Sequence, residues 1–322
     1  MWAVGRVLTV AVANTLTQAH HALGITLLFM GRLTEASHHL EQGRALYRPA
    51  HHQSHIQLSV YDPGMACCGF AALTLWLLGY PEQAVQRTDE SLTHSKALDH
   101  PYTLAAALCG AALHAQWRRE PSVAQEQTTA LITLCHEQGF PYFLAWGMII
   151  RGWALSAQGQ RSEGLAQLRE GLAVYRATGA AGLFTCWYAI LAENLGEANQ
   201  LHEGLGALDE ALVMVRTHEE RLWEAELYRL KGVFLLAQAE VTSSEAEVYL
   251  QQALTIARRQ QAKSLELRAA TSLAKWWQSQ GRRQSAYDLL APIYDWFTEG
   301  FDTADLIEAK SLLDELSIAR GA

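Results

Sequence analysis

The chain has 322 residues, of which 50% are hydrophobic and only seven are proline, a composition typical of an ordered, helix-rich protein with ample material for a core. Its formal net charge of -8 argues against a general affinity for phosphate backbones or anionic membranes, so we expect neither nucleic acid nor a membrane as partner. The five cysteines lack C-x-x-C spacing, which indicates reduced thiols in a cytoplasmic protein, and we interpret the vicinal pair Cys67-Cys68 as packing residues rather than a redox sensor.

The N-terminal residues 1–19 combine one Arg with a short apolar run and the sequence Ala11-Val12-Ala13, which imitates a signal-peptidase site. The run is weak and continues into a helical pattern, so we interpret it as part of a helix. The most apolar stretch, residues 142–157, carries Arg151 in its middle. A transmembrane helix is therefore not expected.

Small residues recur along the chain with a period close to 40 residues, which is typical of a repeat architecture. The first series of structural repeat positions comprises Gly24, Ala72, Ala112, Gly152, Ala192, Gly232 and Ala274. The second series follows 12 residues later in every repeat except the sixth, at Ala36, Ala84, Ala124, Gly164, Gly204, Ala246 and Ala286. Turn signals such as Gly159-Gln160 lie between the two positions, so each repeat is predicted to be a helical hairpin.

The pattern predicts an all-α fold, a superhelical solenoid of about seven hairpins in a single domain over residues 1–322, closed by a C-terminal capping helix. The hairpins are expected near 13–47, 64–98, 102–138, 142–178, 181–218, 222–260 and 264–298, and the capping helix at 302–316. Leucines and one alanine should form the buried face of the cap, with Asp305 on its solvent side.

The small-residue positions are those of the tetratricopeptide repeat, in a version whose repeats run near 40 rather than 34 residues. Five phrases make the match closer, and the last of them is quite specific: LWLLGYPEQA (75–84), EQGFPYFLAWG (137–147), EAELYRLKG (224–232), ARRQQAKSLELRAATSLA (257–274) and YDWFTEGFDTADLIEAKSLLDEL (294–316). They resemble the C-terminal repeat region of large bacterial signalling ATPases, and the resemblance covers residues 20–316. Proteins of that family place a class III adenylate or guanylate cyclase domain and an AAA-type, STAND-like ATPase ahead of such repeats.

The resemblance implies a non-catalytic interaction or sensing module, either a fragment of such a protein or a separately encoded remnant. Its partner would be another protein or the attached ATPase or cyclase domain. The sequence has no G-x-x-x-x-G-K-[ST] phosphate loop and nothing like the paired metal-binding aspartates of a cyclase, so we expect no enzyme activity and no cofactor. The alternative is a sensor that binds a small effector inside a superhelix with an aromatic lining.

Histidines are concentrated near the N-terminus, where a metal site is the tempting interpretation. His51 and His55 would share a helix face and could hold a transition metal with His38 or His39. The run lies in the extra residues between the first two repeats, however, where a solvated linker tolerates histidine. No metal site is assigned.

Tryptophans on first helices are the candidate partner anchors, since first helices line the concave groove in tetratricopeptide geometry. The alternative for each ring is simple core filling. An open groove would favour a protein partner, whereas an enclosed apolar pocket would favour a small ligand. The candidate groove residues are Trp76, Trp117, Trp146, Arg229 and Arg268.

Overall fold

The computed structural model describes residues 2–56, 59–238 and 243–318, and these residues form α-helices without any strand. The helices are α1 (Trp2–Phe29), α2 (Leu33–Leu46), α3 (His52–Ile56), α4 (Pro63–Leu77), α5 (Pro81–Ala97), α6 (Pro101–Trp117), α7 (Pro121–Gln138), α8 (Pro141–Ala157), α9 (Arg161–Ala177), α10 (Phe184–Glu197), α11 (Leu201–His218), α12 (Glu224–Ala237), α13 (Ser243–Gln260), α14 (Lys263–Ser279), α15 (Arg283–Tyr294) and α16 (Ala304–Ile318). The predicted all-α fold of about seven hairpins with a terminal helix is confirmed.

The hairpin of α8 and α9 shows how the sequence produces this fold. Gly159 ends α8 with a φ of +91°, a left-handed conformation that L side chains rarely adopt, and α9 then runs back along α8. A Cβ atom built on Gly152 would lie only 2.6 Å from the carbonyl oxygen of Gly164 and 2.7 Å from the amide nitrogen of Leu168. The two helices therefore touch at the main chain, and only glycine fits at their crossing.

The first series of small residues lies in the interior of the hairpins. All seven of these residues are buried. At two other glycines of the series the structure shows the contact, because Gly24 lies against Leu40 and Gly232 lies against Leu250. In each case a residue of the first helix meets the second helix of the same hairpin, which is why side-chain size is restricted there.

The N-terminal run is part of a helix, as expected, and α1 begins at Trp2 because residues 2–13 contain no proline and only a single glycine to interrupt it. The connection after α2, expected as a solvated linker, contains a 3-10 turn and α3. It is anchored on Asp62, whose Oδ2 lies 2.8 Å from His52 Nδ1 and accepts a hydrogen bond from the Tyr47 hydroxyl at 3.0 Å.

The chain divides into two compact units. The first unit comprises Met1–Leu28, Arg32–Trp76 and Gln83–Ala180, and the second comprises Phe29–Gly31, Leu77–Glu82 and Ala181–Ala322. Within each unit, successive hairpins stack so that a first helix packs against both helices of the preceding hairpin, as α8 does on α6 and α7 and α14 does on α12 and α13. The single domain expected over residues 1–322 stays a prediction.

Helix α16 packs on α14 and α15 at the end of the second unit. Its predicted apolar face is buried: Leu306, Ala309, Leu312, Leu313 and Leu316. The expectation for Asp305 was wrong. Its side chain is only 12% exposed and accepts a hydrogen bond from Arg268, so it lies on the inner side of the helix rather than in solvent.

Candidate functional site

One position of the repeat marks the candidate functional surface. It lies six residues before the small residue of the first series. In the second, third and fourth repeats this position is occupied by Ala66, Ala106 and Trp146, which line a single cavity. In the sixth and seventh repeats it is occupied by Glu226 and Arg268, which form an ion pair at 3.7 Å. The same position is therefore apolar in one group of repeats and charged in another.

The cavity of the first unit, called the aromatic cavity below, has a volume of about 250 Å³. Residues with small side chains form part of its lining: Ala66, Gly69, Ala106, Ala107 and Gly110. Aromatic rings supply much of the remaining lining: Tyr61, Phe70, Tyr102, Tyr142, Phe143 and Trp146. Several of these rings pack against one another, with centroids 4.8 Å apart for Tyr102 and Phe143 and 5.9 Å apart for Tyr142 and Trp146.

The carboxylate of Asp62 is the only acidic side chain in this lining, and its hydrogen-bonding capacity is used internally. Its Oδ1 accepts bonds from the amides of Gly64 and Met65 at 2.9 and 3.0 Å, which fixes the start of α4. Its Oδ2 is held by Tyr47 and His52. The cavity therefore presents no carboxylate in need of a partner.

Charged residues from four helices of the second unit lie close together and are called the charged row below: Glu193, Glu226, Arg229, Arg268 and Asp305. Arg229 binds Glu226 through two hydrogen bonds of 2.8 and 2.7 Å. Arg268 donates to Asp305 at 2.8 Å. Because Arg268 also approaches Glu226, it links α12, α14 and α16.

Burial perturbs the ionisation of this row. Burial, together with the neighbouring charge of Glu226, raises the pKa of Glu193 above its ordinary value. Burial alone would lower the pKa of Arg229, but the charge and hydrogen bonds of Glu226 outweigh it, so that pKa is raised. The row thus keeps Arg229 charged and makes ionisation of Glu193 costly.

The five sequence-predicted groove residues lie in three different environments. Trp146 lines the aromatic cavity, and Arg229 and Arg268 belong to the charged row. Trp117 is fully buried and Trp76 is 3% exposed, with their ring centroids 5.5 Å apart. Both therefore lie in the core of the first unit, and the function proposed here makes no use of them.

Sequence reasoning missed most of the residues around these sites. The cavity walls Phe70, Tyr102 and Tyr142 were not singled out, nor were Glu193 and Glu226 of the charged row. A comparison of the position six residues before each small residue would have found part of both surfaces, because Trp146, Glu226 and Arg268 all occupy it.

The cysteines and histidines are further groups that could carry chemistry. All five cysteines are buried, and burial raises the pKa of Cys67 to about 12, which disfavours the nucleophilic thiolate. Within residues whose side chains are described, no three His, Cys, Asp or Glu side chains converge as metal ligands. His20 and His39 approach to 3.0 Å between their Nδ1 atoms, while the side chains of His51 and His55 lie outside the described part.

No helix in the described part of the chain is both long and apolar enough to cross a membrane.

Comparison with known proteins defines the fold class. No protein-family model and no curated protein matches the sequence. Among solved structures, the apo form of RapI matches with a TM-score of 0.54 at 10% identity, over 93% of this chain and 99% of that one. Aspartyl phosphate phosphatase F from Bacillus subtilis matches with a TM-score of 0.57 at 9% identity, over 91% and 73% of the two chains. Yeast Tom70 matches with a TM-score of 0.54 at 11% identity, over 94% and 64%.

These likenesses concern the fold alone at such low identities. Together with the tandem hairpins, they place the chain in the class of tetratricopeptide-like helical-repeat proteins.

Proposed function

We propose that the chain is a non-catalytic protein-interaction and sensing module that regulates an attached ATPase or nucleotide cyclase domain in bacterial signal transduction. The charged row is the observation that carries this proposal. Removing a charge from water costs several kcal/mol, and apolar residues of similar volume often hold a structure together equally well. Partner recognition explains a row of largely buried charges better than stability does, because the second, third and fourth repeats are apolar where the sixth and seventh carry Glu226 and Arg268.

The row also suggests how binding would be transmitted. Arg268 holds α16 through Asp305 and approaches α12 through Glu226. A charged segment of a partner protein that competes for Arg268 would weaken these links and change the packing of α12, α14 and α16. A ligand that favours one packing over another shifts the population of both, and an attached domain can respond to that shift.

A paired-charge variant tests this proposal. Arg268→Gln with Asp305→Asn removes both charges of the link while keeping hydrogen-bonding groups in place. Lys310→Gln with Asp314→Asn removes a matched pair on the exposed side of α16. Both double variants are placed in the protein together with the ATPase or cyclase domain encoded in the same or the adjacent reading frame.

We expect the Arg268/Asp305 variant to lose most of the effect of the repeats on nucleotide turnover and the Lys310/Asp314 variant to keep it. Circular dichroism must show that both variants remain folded. Retained regulation in a folded Arg268/Asp305 variant would refute the role of the charged row.

The aromatic cavity favours a second candidate function, that of a small-effector sensor of a STAND-type regulator. Its mostly apolar lining with few polar groups is what a small ligand requires. Both candidates assign the chain a regulatory rather than a catalytic role. They differ in the surface that is occupied and in the size of the molecule that occupies it.

A further inference from the structure

We infer that the aromatic cavity is a binding site for an aromatic ligand about the size of indole that carries no negative charge. This inference deepens the second candidate function and depends on it only for the regulatory consequence of binding. It is carried by the volume of the cavity, the shape of its lining and the state of its polar groups.

The volume sets the size of the ligand. The cavity measures about 250 Å³. An engineered apolar cavity of about 150 Å³ in another protein is large enough for benzene. The space here therefore suits a fused bicyclic ring or one ring with a short substituent. It is too small for a ligand of several linked rings.

The shape of the lining favours a flat molecule. A Cβ atom added to Gly110 would meet nothing within 4 Å, and one added to Gly69 would meet only the Ser91 hydroxyl oxygen at 3.6 Å. Open space therefore lies directly over the backbone of α4 and α6. Aromatic walls such as Tyr102 and Trp146 can contact a planar ligand by offset stacking or edge to face.

The polar groups of the lining exclude a negatively charged ligand. None of the lining residues is Lys, Arg or His, and the carboxylate of Asp62 is already saturated by four hydrogen bonds. Burial raises the pKa of Tyr61 to about 12 and raises the pKa of Cys109, so both side chains are neutral near pH 7. An anion would lose its hydration without gaining a positively charged partner.

The same argument favours a free small molecule over a segment of a protein. A peptide would bring backbone donors and acceptors that need partners when buried. The hydroxyl groups of Thr103 and Ser91 are already engaged, with the amide of Asp62 and the carbonyl of Met65 respectively.

A cavity-filling substitution tests the inference. The full chain is titrated with indole and with indole-3-carboxylate, and binding is followed by calorimetry and by the shift in melting temperature. Gly110→Leu places a side chain in the cavity. Gly206→Leu is the matched control, since Gly206 is also in a helix with open space around its Cβ position but lies on α11 and does not line the cavity.

We expect indole to bind the wild type and the Gly206→Leu variant equally, and to bind Gly110→Leu at least about tenfold more weakly. Indole-3-carboxylate should bind the wild type at least about tenfold more weakly than indole. Equal binding of indole to the Gly110 and Gly206 variants, or no preference for indole over its carboxylate, would overturn the inference. So would the absence of indole binding to the wild type.

Two further variants keep the test decisive. Gly110→Ala adds a single methyl group in open space, so it should fold even if Gly110→Leu does not, and it should weaken indole binding by a smaller factor. Arg268→Gln with Asp305→Asn should bind indole as the wild type does, because neither residue lines the cavity. Failure of the charged-row proposal and failure of the cavity inference therefore give different results.

Discussion

Alanine substitution at the crossing of α8 and α9 should destabilise the protein even though alanine is the better helix former. The Cβ atom of Gly152→Ala would lie 2.6 Å from the carbonyl oxygen of Gly164, whereas ordinary contacts begin near 3.4 Å. The helices must therefore separate by about 0.8 Å, and backbone atoms cannot rotate away as a side chain can. Overpacking of this kind costs about 1–3 kcal/mol, offset by about 0.5–1 kcal/mol from the removal of a helical glycine.

Matched controls isolate the effect of the crossing. Gly110 and Gly206 are also helical, but a Cβ atom added to either meets nothing within 4 Å. Gly→Ala at these positions should stabilise by about 0.5–1 kcal/mol. The same substitution should thus have opposite signs at Gly152 and Gly110, which belong to the same unit.

Thermal melting of the full chain, followed by far-UV circular dichroism, measures the difference. A change of 1 kcal/mol corresponds to about 2–4 °C for a unit of this size. Gly164→Ala should resemble Gly152→Ala, and the double variant should lose less than the sum, because the first substitution already separates the helices. A Gly152→Ala variant that melts as high as Gly110→Ala would refute the crossing geometry.

Three further expectations concern backbone conformation, pH and the terminal helix. Glu219 and Gly139 occupy corresponding turns between repeats and have φ values of +56° and +70°, a left-handed conformation that is costly for every residue with a Cβ atom. Glu219→Gly should therefore stabilise the protein, and Gly139→Glu should destabilise it, by about 1–2 kcal/mol each in thermal melting. Burial lowers the pKa of His114 to about 3, so below about pH 6.5 the unfolded chain binds a proton that the folded chain does not. The stability of the fold therefore decreases as the pH falls below about 6.5, and His114→Gln should flatten the accompanying decline in melting temperature. A chain ending at Gly300 loses the buried leucines of α16, worth about 1.5–3 kcal/mol each before entropy losses, and should aggregate or melt well below the full chain in light-scattering and melting assays.

Specific results would contradict these expectations. Equal melting of the Glu219→Gly and Gly139→Glu variants would show that the turn conformation does not limit stability. If the melting temperature of His114→Gln depends on pH as that of the wild type does, another titrating group causes most of the loss of stability at low pH. Truncation at Gly300 without loss of stability would support a docking role for α16 instead of a capping role, and removal of residues 319–322 alone serves as the control.

The helical-repeat fold could be predicted because helix crossings restrict residue size at a fixed period. Gly152 and Gly164 must be small because α8 and α9 touch at these two residues, so the sequence of one hairpin already shows the pattern. The buried face of α16 was predictable from helical periodicity in the same way.

The sites were less predictable, because they depend on which helices become neighbours. Trp146 lies six residues before its small residue and faces the cavity, whereas Trp117 lies five residues after its own and packs in the core. The inward position of Asp305 depends on Arg268, which is 37 residues away in the chain. Periodicity within one helix contains no information about such contacts.

The proposed regulatory role is tested most directly by nucleotide turnover. The proposal places an ATPase or cyclase domain in the same or the adjacent reading frame, and that domain is assayed with the repeats present and with the repeats deleted. The repeats alone should show no turnover of ATP, and their deletion should change the turnover of the catalytic domain several-fold. Turnover that stays the same without the repeats, or ATP hydrolysis that copurifies with the isolated repeats, would contradict the account.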